Sequence, residues 1–233
     1  MAASPSPATA PAWTGDPLLA NDPHLGFTAP AIWYLARLEL QSGGVIGGTI
    51  PGVPVVFTGR SADLGWGVTS SYVDDQDIYV EALNPDNPEE YRTPDGYKAF
   101  ETRGSIINIK DAEPVTITLR WTDNGPVLPG SHYNLAAITP PGHVASLAWT
   151  ALSRHDTSLS AAIKLMSAKS VREGIAVSEG YIAPSQNLTL VDREEIAMKT
   201  IGVMPRRDAG HQSKGRMPSQ GWRNENRWQG RMP

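Results

Sequence analysis

The segment GWGVTSSYVDDQDIYVE, residues 65–81, decides how the rest of the chain reads. Val68, Ser70 and Tyr72 alternate with Thr69, Ser71 and Val73, and beyond an acidic cluster Ile78 and Val80 alternate with Tyr79 and Glu81. A two-residue alternation marks extended chain, so the segment predicts two strands joined at a polar corner. The corner is Asp74, Asp75, Gln76 and Asp77. Three carboxylates in four residues repel one another unless a cation, arginines or water separates them. Such a corner suits a hard cation such as calcium, and it also reads as a solvated acidic turn.

Outward from this segment the chain continues in extended pieces. Residues 85–96 carry Asn-Pro, Asn-Pro and Pro-Asp-Gly turn chemistry and predict a loop. Residues 97–102, 105–110 and 115–122 then alternate as strands of an antiparallel meander, closed by Asp123-Asn124-Gly125-Pro126. On the other side, residues 32–40 predict a strand, and glycine pairs with Pro51-Gly52 cut residues 45–58 into short extended pieces. Residues 18–27, LLANDPHLGF, form a short apolar strand running into an Asn-Asp-Pro turn that delivers His24. A lone histidine beside a turn is a hydrogen-bonded surface residue as readily as a catalytic one. Residues 1–17 hold four prolines among small residues and predict a flexible leader.

Toward the other end, residues 145–152 read as a buried strand. Asp156 or Thr157 can cap a helix that carries Leu159, Ala162, Ile163 and Met166 on one face. Ser170 with Glu173 forms a capping box for a second helix. Residues 186–191 and 195–200 predict two strands across Asp192-Arg193-Glu194, and the basic tail 205–233, rich in Gly, Pro and Trp, predicts irregular chain. The organisation expected is a leader over 1–17, a core over 18–204 and a tail over 205–233.

Composition removes several function classes. The 233 residues are 40% hydrophobic, enough for a sizeable core, and 19% charged with a net charge of -4, which argues against nucleic acid as a partner. Cysteine is absent, so disulfides, thiol nucleophiles and thiolate metal sites are excluded. No apolar run approaches the roughly 18 residues of a spanning helix, and residues 1–17 lack the pattern of a secretory signal.

Residues 18–27, the run PGVPVVFTGRSADLGWGVTSSYVDDQDIYVE over 51–81, Asp123 to Pro126 and the closing GRMPSQGWRNENRWQG resemble, in that order, the beta chain of the penicillin acylases. These are N-terminal-nucleophile amidohydrolases. The resemblance implies an α+β fold, a four-layer alpha/beta/beta/alpha sandwich of which this chain supplies part. It implies cleavage of an N-acyl amide by a serine that becomes an N-terminus through self-cleavage and uses its own amine as base. By position, the Ser70 N–H would be an oxyanion donor, His24 would orient the nucleophilic serine or contribute to the oxyanion hole, and Leu25, Val68 and Tyr72 would line the acyl pocket. Asp74 and Asp77 with the Gln76 carbonyl would form a calcium corner tied to the alpha chain of the same precursor. Relatives act on aryl-acetyl penicillins and other beta-lactam amides, acyl-homoserine lactones or glutaryl cephalosporins, and are exported, which implies a periplasmic or secreted enzyme.

The resemblance also marks departures. Family beta chains begin Ser-Asn-x-Trp, and that serine would fall at about Ala2; Ser4 and Ser6 each precede a proline. The family's oxyanion asparagine lies beyond the Trp228-Gln229-Gly230 stretch. The chain alone is therefore expected to be inactive, as a piece of an acylase or, alternatively, as a non-catalytic calcium- or ligand-binding remnant of the fold.

Overall fold

The computed structural model describes residues 8–11, 15, 17–23, 26 and 28–232. They fall into two compact units, one built from residues up to Val73 together with Ser153–Val203, the other from Asp74–Leu152 with Met204–Met232.

In the first unit β1 (Ala8–Pro11) pairs antiparallel with β2 (Pro17–Ala20), so part of the expected leader is a strand. Next, β3 (Tyr34–Leu40), β4 (Gly43–Thr49), β5 (Thr58–Arg60) and β6 (Gly65–Ser70) pair antiparallel in chain order. Gly47 and Gly59 face each other across β4 and β5. A Cβ on Gly47 would lie 2.0 Å from the Thr58 carbonyl oxygen, an approach only glycine permits.

The second unit begins at the acidic corner. It contains β7 (Gln76–Asn84), β8 (Asn87–Thr93), β9 (Gly96–Ala99), β10 (Glu101–Ile107), β11 (Val115–Thr122), β12 (Gly125–Leu128) and β13 (His143–Trp149). Their spatial order is β10-β11-β12-β13-β7-β8-β9, with β13 and β7 paired from His143 opposite Ala82 to Trp149 opposite Gln76. The two extended pieces of the opening segment are thus β6 and β7, joined through residues 71–75. Two expectations change here. The loop over 85–96 contains a strand, β8, because Pro88 sits where the β7 register shifts and no ladder N–H is required. The meander also breaks at Phe100 rather than near Gly104. Phe100 is buried against Tyr91, with ring centroids 5.1 Å apart, and its N–H donates to the Glu89 carbonyl.

The chain returns to the first unit with α1 (Ser158–Leu165), α2 (Val171–Ser178), β14 (Gln186–Val191) and β15 (Ile196–Ile201). Strand β14 inserts beside β6 and completes a six-stranded sheet, β15-β14-β6-β5-β4-β3. Its core joins Val45, Trp66, Leu188 and Leu190 to Leu165, Met166 and Val171 from the helical region. The apolar face of α1 is rotated by about one position from the expected stripe. Ala161 and Leu165 are buried while Leu159 and Ile163 are exposed. Half of the α2 capping box is as read, with Ser170 accepting the Glu173 N–H at 3.2 Å, while the Glu173 carboxylate accepts the N–H of Lys169, one residue before the cap, at 2.8 Å.

The tail is not irregular. In the second unit β16 (Met204–Arg207) pairs antiparallel with β18 (Trp228–Met232), and β17 (Ser219–Gln220) runs parallel to β7. These strands are too short to show a period, and distant partners impose them. Both α-helices belong to the first unit, so the described residues give a strand-rich chain with few helices rather than four visible layers.

Candidate functional site

The first unit contains an apolar cavity of about 460 Å³ between α1 and the sheet. Ile50, Val56, Phe57, Val68, Leu165 and Leu188 form much of its wall. Thr69 and Ser70, at the end of β6, also line it, beside Gln186, the register partner of Ser70. Of the residues expected to line an acyl pocket, Val68 lines this cavity; Tyr72 does not, and it is 72% exposed, with a φ of 54°. His24 and Leu25 lie outside the described residues.

The backbone of Ser70 meets an open strand edge. Strand β5 pairs only with Gly65 and Trp66, which leaves Gly67 to Ser70 without a described strand on that side. The Val68 carbonyl accepts from the Asn21 side-chain amide at 3.1 Å, and the Trp66 carbonyl is within 3.5 Å of the Thr58 hydroxyl of β5. Backbone groups two residues apart in a strand point the same way, so the Ser70 N–H is directed to that edge too.

Asp156 and Tyr181, which the sequence did not single out as site residues, lie on the same cavity. The Asp156 carboxylate accepts from the N–H and the hydroxyl of Ser158, and the Ser158 hydroxyl accepts the N–H groups of Ile182 and Ala183. Burial, with the Asp156 charge adding to it, pushes the Tyr181 hydroxyl pKa up to about 12.

In the second unit the acidic corner converges on a cation, and the cation is Arg207. Its Nε lies 2.9 Å from Asp77 Oδ2 and its Nη1 3.1 Å from Asp74 Oδ2, while Nη2 donates to Asp77 Oδ1 at 3.2 Å and to the Asp74 and Gln76 carbonyls at 3.4 Å. The Trp228 indole N–H donates to Asp77 as well. Burial works against the Arg207 charge, but Asp77 and Asp74 outweigh it and hold the guanidinium pKa above its ordinary value. Asp74, Gln76 and Asp77 are therefore brought together, but their oxygens are already matched by a guanidinium. Calcium takes six to eight oxygens, so an ion here would need Arg207 to move and oxygens beyond these three residues to join. Among the described residues no group of three acidic or histidine side chains could hold a metal ion. The signal available in the sequence was the excess of arginine in the tail facing an acidic corner.

Behind the corner, Tyr79 donates to the Asn226 carbonyl, and burial together with Asp77 raises its pKa. Fully buried Glu81 accepts from Thr122, Asn124 and Ser146 at 2.7 to 2.9 Å, which ties β7 to β11, β13 and the turn before β12.

Comparison with known proteins gives the lineage. The chain is 28% identical to the acyl-homoserine lactone acylase QuiP of Pseudomonas aeruginosa over 93% of its length and 26% of the relative's. It is 26% identical to a penicillin acylase 2 proenzyme of a Pseudomonas species and 25% identical to a penicillin G acylase of Escherichia coli, covering 27% and 24% of those proteins. It thus spans about a quarter of the curated relatives it matches. Among solved structures, a thermostable penicillin G acylase from Alcaligenes faecalis matches 95% of this chain and 38% of its own with a TM-score of 0.80 at 24% identity, which shows the shared fold. The penicillin amidase profile matches residues 9–233, and the chain belongs to the penicillin amidase family.

Proposed function

We propose that this chain carries the acyl-binding wall and one oxyanion donor of an amidohydrolase that cleaves N-acyl amides. The observation that carries this reading is the apolar cavity whose wall holds both Val68 and Ser70, in a member of the penicillin amidase family. In the reaction, a serine hydroxyl attacks the amide carbonyl, its proton passing to an amine base, and the carbonyl oxygen becomes an oxyanion. Collapse breaks the C–N bond, the amine leaves with the proton, and water then hydrolyses the acyl ester. The Ser70 N–H at the open edge of β6 donates to the oxyanion, a contact commonly worth about 10²- to 10³-fold in rate. The acyl group lies along Val68, Val56 and Phe57. In the complete enzyme the two units join further segments in the four-layer arrangement of N-terminal-nucleophile hydrolases.

Neither the nucleophilic serine nor a second oxyanion donor is assigned among the described residues, so binding of acyl amides and their turnover are tested separately. Mixing the chain with hexanoyl- and phenylacetyl-anilides tests this. Saturable binding without anilide release is expected, with release appearing on co-expression with the remaining segments of a relative. Release by the chain alone, lost in Ser4→Ala or Ser6→Ala, would overturn this division of labour, and absence of binding would overturn the acyl pocket.

A further inference from the structure

Acyl groups that end in a hydrocarbon and acyl groups that end in a carboxylate make opposite demands on a pocket. An acyl group ending in a carboxylate needs a cation or several hydrogen-bond donors at its far end, because burying a bare negative charge is costly. Among the described residues lining the cavity there is no lysine, arginine or histidine, and the one charged side chain is Asp156.

Asp156 is held in place. Two hydrogen bonds from Ser158 fix one carboxylate oxygen, and the Ser158 hydroxyl is itself clamped by the Ile182 and Ala183 N–H groups, which lead into β14 and its Gln186 partner to Ser70. The carboxylate therefore cannot swing away from the cavity without giving up both hydrogen bonds from Ser158. Burial first, and the Asp156 charge after it, oppose the ionisation of Tyr181 on the same wall. The remaining walls are mostly aliphatic and aromatic, and they suit a hydrocarbon chain.

We propose that Asp156 is a specificity determinant that makes this pocket select neutral or amine-bearing acyl groups and reject acyl groups ending in a carboxylate. The inference rests on the acyl-pocket reading and narrows it: the glutaryl class is excluded by charge, and alkanoyl and arylacetyl groups are accepted.

The test needs binding only and so does not depend on where the nucleophile lies. Three amides of one chain length, hexanamide, 6-aminohexanamide and adipic acid monoamide, are titrated into the 233-residue chain by calorimetry, with tryptophan fluorescence as a second readout because Trp33 lines the cavity. Adipic acid monoamide is expected to bind about tenfold or more weakly than hexanamide at neutral pH. The gap narrows in high salt, because Asp156 is solvent-exposed. Asp156→Asn, which keeps an oxygen for the Ser158 N–H, is expected to bring the two within about twofold of each other. Equal binding of the anionic and neutral amides by the unmodified chain would overturn the proposal, as would a preference that survives Asp156→Asn. Absence of hexanamide binding is a different failure, since it removes the acyl pocket itself. The salt dependence keeps the test decisive if the variant does not fold.

Discussion

Asp77 is only 2% exposed, and it holds the Arg207 guanidinium and the Trp228 indole at once. Arg207→Ala leaves that carboxylate buried without its cation, so the urea midpoint should fall by the equivalent of about 3 kcal/mol. Arg207→Lys should recover only part, because an ammonium cannot span Asp74 and Asp77 as the guanidinium does. The same variant tests the calcium expectation: the unmodified chain should melt at the same temperature with calcium or chelator, whereas Arg207→Ala should be stabilised by millimolar calcium. A calcium-dependent melting point in the unmodified chain would show that a metal displaces Arg207. His211 is buried, its Nδ1 accepts the N–H groups of Lys214 and Ser213 at 3.0 and 3.3 Å, and burial holds its pKa below the ordinary 6.5. The unfolded chain therefore binds the proton first as pH falls, and the contribution of His211 to stability, full above pH 6.5, is lost progressively below it. Urea midpoints measured across that range should show the slope, and His211→Gln should flatten it. At this scale the sequence showed the acidic corner but not its counter-ion, because Arg207 lies 130 residues from Asp77 and no local pattern links them. Asp156 was legible only as a helix cap, and its place on a cavity depends on β14 folding beside β6.

The elements repeat the lesson in another form. Strands β6 and β7, both helices and the β14–β15 hairpin were readable because each has a local signature: alternation, a cap, or a tight polar turn. Strand β8 and the tail strands were not, since proline and glycine marked them as loop and only their partners make them extended. Ser170→Ala should cost about 1 kcal/mol in the same denaturation measurement, by removing the acceptor for the Glu173 N–H. Gly47→Ala should be far more damaging, about 3 kcal/mol or more, because the new methyl meets the Thr58 carbonyl. A mild Gly47→Ala phenotype would show that β4 and β5 can move apart.

For the whole molecule, the family was legible from ordered motifs, whereas the division into two units was not, because each unit is assembled from separated stretches of chain. The hairpin β10–β11 exposes Ile106, Ile107, Val115 and Ile117, an apolar edge of the kind that promotes association. Ile106→Lys with Ile117→Glu should raise the concentration at which light scattering begins and leave the melting temperature unchanged. A large loss of melting temperature would show that these side chains support the sheet. The tie between Asp77 and its two donors has a further consequence, for synthesis. Asp77 leaves the ribosome 130 residues before Arg207 and 151 before Trp228, so the second unit cannot close its acidic corner until both of those residues have been synthesised. Such late, long-range closure makes folding slow and leaves the nascent sheet dependent on chaperones while it waits.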